Sequence, residues 1–341
     1  MGKVVVIGDL HFGIHLNDER FVNYQIEEWK KFIAYCKKSE INQIIILGDF
    51  FDNRNYLSVK ILDIVLKQII DSKLKVILLV GNHDTLFKNT NRVNTPRLLF
   101  EKYDNIEVVD TVKEIYVDDV KSLFVPWINK DNFEKSIAAI QHTNAEYCFG
   151  HLELIDFEMT SGIKCVAGLK ASLFKKFKKV FSGHFHLVQK KGNIYYLGSF
   201  YPTTWADCGD QKFVYPVGAD FELTPVPMAR PIFKKIYLTK DEPISKKHVE
   251  IATDCYVKVY LNYKMMAKDE KILSNLIECA IKADIIDMRL LLDEPDDRDV
   301  EDEDFMEIFN GFMDAQEELD PDLKSSVIDL IKKTYSEALE G

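Results

Sequence analysis

The chain has 341 residues, 47% of them apolar, enough to bury a sizeable core in one large domain and a smaller one. No apolar run approaches the roughly 20 residues of a membrane span, and the opening MGKVVVIGDLH enters a strand pattern without signal-peptide organisation, so a cytoplasmic protein is expected. The net charge of −11 argues against a polyanionic partner only until it is divided along the chain: residues 293–341 hold 18 acidic and 4 basic residues, leaving 40 basic and 37 acidic before them.

In chain order, KVVVIGD, QIIILGD and KVILLVGN are short β-branched runs that end in Gly and a polar residue. Helical patterns lie between them, at Phe21 to Lys38 and Leu57 to Asp71. Strands buried on both faces read this way, which predicts a layered α/β domain. Further strands are predicted at Ile106 to Val109, Lys121 to Val125, Glu146 to Phe149 and Lys179 to Phe181, with a hairpin across KKGN at 190–193. The Pro-rich stretch at 218–231 reads as a connection. Strand-like FKKIYL and CYVKVYL follow, then a helix over Asp269 to Ala283 and a strand in DMRLLL, together a small α+β module. Cys36, Cys148, Cys165, Cys208, Cys255 and Cys279 are scattered without a CxxC pair and are expected to be reduced.

Five runs end in residues that carry chemistry: GDLH (Asp9, His11), GDFFD (Asp49, Asp52), GNHD (Asn82, His83, Asp84), GHLE (His151) and GHFH (His184, His186). Five of the eight histidines lie in these motifs; His15, His142 and His248 are read as surface residues. Loops at the carboxyl ends of strands can deliver such side chains to one crevice. The preceding glycines predict tight backbone turns there. Asp, Asn and neutral His suit manganese, iron or zinc better than an all-oxygen magnesium site. The donors outnumber the needs of one ion, which points to a pair about 3.5 to 4 Å apart acting on a phosphate ester. Between Met159 and Ala206 stand eight lysines and no acid. Lys175, Lys176, Lys178 and Lys179 are the candidate phosphate contacts, against the alternative of a solvated surface.

The ordered series D-x-H, GD-x-x-D, GNHD, GH and GHxH resembles the calcineurin-type metallophosphoesterase superfamily. Within it, GDLHFG, GDFFD, GNHD and GHFH followed by YYLGSFYPTTW resemble the SbcD nucleases, the MRE-eleven group of double-strand-break repair, and the short chain with its tail is similar to the nuclease subunits of T-even-like phages. The resemblance implies a β-sandwich flanked by helices and two Mn²⁺ ions, with Mg²⁺ as a substitute. One ion would be held by Asp9, His11, Asp49 and His186, the other by Asp49, Asn82, His151 and His184. His83 would steady the scissile phosphate and protonate the leaving 3′ oxygen, with Asp84 orienting it or merely capping its loop; Asp52 is assigned no direct chemistry.

The same resemblance divides the chain into a nuclease domain at 1–228, a DNA-capping domain at 229–292, and an acidic linker with C-terminal helices at 293–341. In that tail Phe305, Ile308, Phe309 and Phe312 follow the spacing of one helix face, and Leu323, Val327, Leu330 and Ile331 form a second stripe after Asp320-Pro321. The implied partners are DNA, an SbcC-type coiled-coil ATPase docked on these helices, and a second copy of the chain. Three functions are weighed: a manganese-dependent DNA exonuclease and endonuclease in recombination and repair, a phosphatase or cyclic-nucleotide phosphodiesterase on the same fold, and a non-catalytic DNA-binding scaffold.

Overall fold

The computed structural model describes residues 3–291 together with 328, 331 and 332. Met1–Asp287 forms one compact unit. It opens with four mutually parallel strands, β1 (Lys3–Ile7), β2 (Ile41–Ile46), β3 (Lys75–Leu79) and β4 (Ile106–Val109). Helix α1 (Glu19–Lys38) joins the first two strands and α2 (Val59–Ser72) the next two. Helix α1 starts where the Asp18 carboxylate accepts the amides of Arg20 and Phe21 at 3.1 Å each, an N-cap that satisfies donors the helix itself leaves unpaired.

The second sheet contains β5 (Lys113–Val117), β6 (Val120–Val125), β7 (Tyr147–His151), β8 (Lys179–Gly183), β9 (Gln189–Lys191) and β10 (Ile194–Tyr196), in the spatial order β9-β10-β8-β7-β6-β5. Helix α3 (Phe133–His142) lies between β6 and β7 in the chain. The chain then returns to the first sheet as β11 (Phe213–Pro216), antiparallel to β1, and β12 (Val226–Pro227), giving the order β12-β11-β1-β2-β3-β4.

The two sheets face each other, and alternation along each strand decides which core a residue enters. Val4, Val6, Ile45 and Leu79 meet Phe124, Phe149 and Phe181 between the sheets. Val5, Ile7, Ile44 and Leu78 pack on the opposite face against Phe21, Trp29 and Phe32 of α1 and Ile61 and Val65 of α2. Beyond the second sheet, Leu123, Cys148 and Val180 pack with Ile140 of α3, Phe174 and Phe177. This is the expected layered β-sandwich flanked by helices, and it explains the unbroken apolar runs: both faces of the central strands are covered, each buried Val or Ile contributing about 1.5–3 kcal/mol.

A separate parallel sheet, β13 (Phe233–Leu238), β14 (Tyr256–Leu261) and β15 (Lys282–Asp287), carries α4 (Lys246–Ala252) and α5 (Ala267–Cys279) around its own core of Ile236, Leu238, Val257, Val259, Leu261 and Leu276. Two expectations change here. The helix ends at Cys279 instead of Ala283, and the last strand is Lys282–Asp287, with Met288–Leu291 forming a 3-10 turn where a strand was read. His248 is buried, not a surface residue: its Nδ1 accepts the amide of Ser245 at 3.1 Å, closing the start of α4. All six cysteines are free. No described helix is long and apolar enough to cross a membrane. Of the tail residues singled out above, Phe305, Ile308, Phe309, Phe312, Leu323, Val327 and Leu330 lie outside the described residues; Ile331 is helical and half-buried.

Candidate metal centre

The five motifs occupy the carboxyl ends of β1, β2, β3, β7 and β8, so parallel strands from both sheets discharge their loops at one place. The loops are tied to one another through backbone: Leu10 and His11 donate to the Asp49 carbonyl at 3.0 and 2.9 Å, and Phe200 donates to the Asp9 carbonyl at 2.8 Å.

Three groups of donors result. Asp9, His11 and His186 form the first, Asp49, His151 and His184 the second, and His11, Asp52 and His83 a third that shares His11 with the first, each with its ligand atoms within 4.8 Å of one another. Asn82 Oδ1 stands 2.9 Å from His151 Nε2 and 3.0 Å from His184 Nδ1, completing the second group. Asp49 reaches toward the first two: its Oδ2 is 3.3 Å from His151 Nε2 and 3.7 Å from His11 Nε2. All seven expected donors are therefore brought together. Asp9, His11, Asp49 and His151 are buried, while Asn82, His184 and His186 form the half-exposed mouth beside Trp127, whose ring centroid lies 5.0 Å from that of His184.

Left to themselves these groups are poorly satisfied. Among the described residues, Asp9 Oδ1 and His184 Nε2 are buried without a hydrogen-bond partner. His11 Nε2 and His186 Nε2 face each other at 3.0 Å. Orphaned buried acceptors are expensive, and a cation between them relieves the cost. Burial, reinforced by the charge on Asp49, pushes Asp9 up to about 7. Burial would likewise raise Asp49, but the neighbouring His151 and His83 hold it well below the usual carboxylate range. Burial works against charge on His11 and His151 too, yet the hydrogen bond and charge of Asp52 at the first, and Asp49 at the second, carry both up to about 9. Protons thus occupy part of the space that the donor chemistry offers to divalent ions, and the residues fit such ions.

The backbone shows how the site is made. His11, Asp49 and His184 themselves adopt positive φ, at 41°, 45° and 84°, a conformation that residues with a Cβ rarely take. The glycines before them serve a different purpose from the expected turn. A Cβ on Gly183 would stand 2.3 Å from Asp9 Oδ1 and 2.7 Å from the Leu47 carbonyl, so glycine there makes room for the carboxylate. Of the five motif glycines, Gly48 alone combines both demands, with φ of 111° and the His151 ring 2.3 Å from where its Cβ would be.

Around the donors the structure redistributes the expected roles. The Asp84 carboxylate does not touch the His83 ring; it accepts the amides of Gly81, Phe51 and Phe50 at 3.0, 3.1 and 3.3 Å and clamps two of the loops together. His83 is oriented instead by Asp52, whose carbonyl accepts from its Nδ1 at 2.9 Å. Asp52, assigned no chemistry from the sequence, also places its carboxylate 3.1 Å from His11 Nδ1. The lysines are placed differently again. Lys178 pairs with Glu146, Lys179 pairs with Glu222, and Lys176 donates to the carbonyls of Gln141 and Thr143. Lys179 begins β8 and Lys175, Lys176 and Lys178 precede it, at the opposite end of the strand from His184 and His186. Two of the four candidate phosphate contacts, Lys178 and Lys179, are thus engaged in internal ion pairs.

Residues 2–188, more than half of the chain, match the family described as calcineurin-like phosphoesterase. The chain is also similar to "Exonuclease subunit 1" of Enterobacteria phage T4, at 31% identity over 225 residues, 65% of this chain and 66% of that protein, just under two thirds of its length. Among solved structures it is similar to a dimetal phosphatase from Danio rerio (TM-score 0.43, 12% identity, 67% of this chain and 99% of that one). A protein of unknown function from Aquifex aeolicus matches at TM-score 0.29 and 19% identity, over 44% of this chain and 80% of that one. With the match to the family spanning the four strand ends from Asp9 to His151 and the GHFH turn as well, the chain belongs to the calcineurin-like phosphoesterases, hydrolases of phosphate esters.

Proposed function

We propose that the chain is a DNA nuclease that hydrolyses phosphodiester bonds with two manganese ions, working as the nuclease subunit of an SbcCD-like recombination and repair complex. The observation that carries the reading is the pair of donor groups sharing one half-exposed mouth, with Asp49 reaching both. Asp9, His11, Asp49 and His186 would hold one ion, and Asp49, Asn82, His151 and His184 the other. When bound, such a pair lowers the pKa of water and neutralises charge on phosphate oxygens.

The chain's own residues supply the rest. His83 keeps its Nδ1 proton on the Asp52 carbonyl, which leaves Nε2 as the nitrogen available to take up a proton. Burial holds this imidazole below its ordinary value, so it is neutral until a phosphodiester brings negative charge beside it. The protonated form then hands a proton to the leaving 3′ oxygen.

A polymeric substrate is supported by the relative named as an exonuclease subunit and by the small sheet at 229–292, the proposed capping domain. On one face of that sheet Tyr237 and Tyr260 stack at 4.7 Å, and Lys258 lies 4.6 Å over the Trp205 ring. Aromatic rings alternating with lysines suit stacked bases and a phosphate backbone. The partner reading, an SbcC-type ATPase on the C-terminal segment and a second copy of the chain, is supported by the word subunit in the relative's name and by the apolar spacing of the tail.

The test is cleavage of labelled single- and double-stranded DNA with Mn²⁺, run beside p-nitrophenyl phosphate. Nuclease activity that EDTA abolishes is expected. Hydrolysis of the small ester alone would overturn the assignment in favour of a phosphatase.

A further inference from the structure

His186 differs from the other histidines of the centre in what lies behind it. His11 and His151 set their Nδ1 directly against an oxygen, of Asp52 and Leu47 respectively. His186 Nδ1 instead meets the hydroxyl of Thr203 at 3.0 Å, and that hydroxyl lies 2.9 Å from Asp207 Oδ2. The same carboxylate oxygen accepts the amides of Thr203 and Thr204 at 2.8 and 3.0 Å, while its other oxygen takes the Lys212 ammonium at 2.5 Å. Asp207 and Lys212 are 3% and 1% exposed. Lys212 also donates to the His186 carbonyl at 3.0 Å.

The direction of this chain of hydrogen bonds is fixed by its far end. A carboxylate surrounded by an ammonium and two amides is ionised and can only accept. The Thr203 hydroxyl therefore gives its single proton to Asp207 and has only lone pairs left for His186. His186 must then carry its proton on Nδ1, which leaves Nε2, 3.0 Å from His11 Nε2 and 3.8 Å from Asp9 Oδ2, with its lone pair aimed into the centre.

We propose that Asp207 and Lys212, acting through Thr203, are positioning residues that lock His186 in the Nδ1–H tautomer and so set the affinity of one of the two ion sites. The inference rests on the metal reading above, but not on DNA as substrate. All three residues follow residue 188, outside the span that matches the family, and Asp207 has a plain alternative: it closes the capping box of the turn Trp205–Asp207. A mere cap would leave the imidazole indifferent to the Thr203 hydroxyl.

The experiment compares the full chain with Thr203→Val, which keeps the shape and removes the relay, and Thr203→Ser, which restores it. Nitrogen-15 spectra of the histidines in the metal-free protein are expected to report an Nδ1–H His186 in the parent and in Thr203→Ser, and a mixed or Nε2–H ring in Thr203→Val. Calorimetric titration with Mn²⁺ should show one of two sites weakened about 10- to 100-fold in Thr203→Val, as loss of outer partners generally does, and recovered in Thr203→Ser. The double substitution Asp207→Ala with Lys212→Met removes the acceptor, leaves no buried ion unpaired and should reproduce the selective loss even if its melting temperature shifts. An Nε2–H His186 in the parent, or a Thr203→Val protein with both sites within twofold of the parent, overturns the proposal. DNA cleavage by the parent is measured in parallel, so a failed nuclease reading appears there and not in the tautomer.

Discussion

Asp49 and His83 are neighbours with opposite expected phenotypes. Because Asp49 faces both donor groups, Asp49→Ala should lose both ions and all cleavage together. His83→Gln should keep both ions in a calorimetric count while slowing cleavage by about 10² to 10⁴; loss of an ion in that variant would show that His83 is a ligand. The charge state of the centre makes a further prediction. His11 and His151 titrate at about 9 in the folded metal-free chain and near their ordinary value of 6.5 when unfolded. Between those limits the folded state holds protons that the unfolded chain has released, so their stabilisation is fully present below about 6.5 and is lost as pH rises through about 9. With EDTA, the melting temperature should fall across this window. Saturating Mn²⁺ should flatten that fall, since bound ions take the place of the protons. The residues of the centre were legible because aspartates, asparagine and histidines recur at the ends of five strands. Asp52 was not, because its contribution depends on which histidine it meets across 41 positions.

Among the elements, α1 depends on a single cap. Asp18→Ala should destabilise the fold by about 1 kcal/mol in denaturant titration, and Asp18→Asn by much less, since the amide oxygen still accepts from Arg20 and Phe21. The start of β8 separates two accounts of the lysines. Lys178→Glu with Lys179→Glu breaks the pairs with Glu146 and Glu222, so the expected result is a modest loss of stability with the salt dependence of DNA affinity unchanged. A flatter log-log slope would instead return those lysines to phosphate binding. The central strands were readable because two covered faces force continuous apolar sequence. The edge was not: β15 was missed because Lys282–Asp287 has no such run, and it becomes a strand by pairing in parallel with β14, Tyr256 opposite Lys282 through Leu261 opposite Asp287. Helix α5 stops short for a related reason, the Cys279 carbonyl and the Ile281 amide being taken by Asp254 and Cys255.

At the scale of the whole molecule, every core cluster among the described residues is built from positions no later than 283. A chain ending at residue 291 should therefore keep its melting temperature within a few degrees and still bind two Mn²⁺ ions, yet no longer co-purify with the proposed ATPase. An insoluble truncation, or one that still retains the ATPase, would refute that division of labour. Sequence alone determined the layered α/β class and singled out the seven candidate donors, because strand burial and metal ligation each impose residue types at fixed local spacing. Only the tertiary structure decided which candidate donors stand together, that Lys178 and Lys179 pair with Glu146 and Glu222, and that Thr203, Asp207 and Lys212 stand behind His186. Those are relations between side chains far apart in the chain, and no local pattern encodes a hydrogen bond whose partner is chosen by packing.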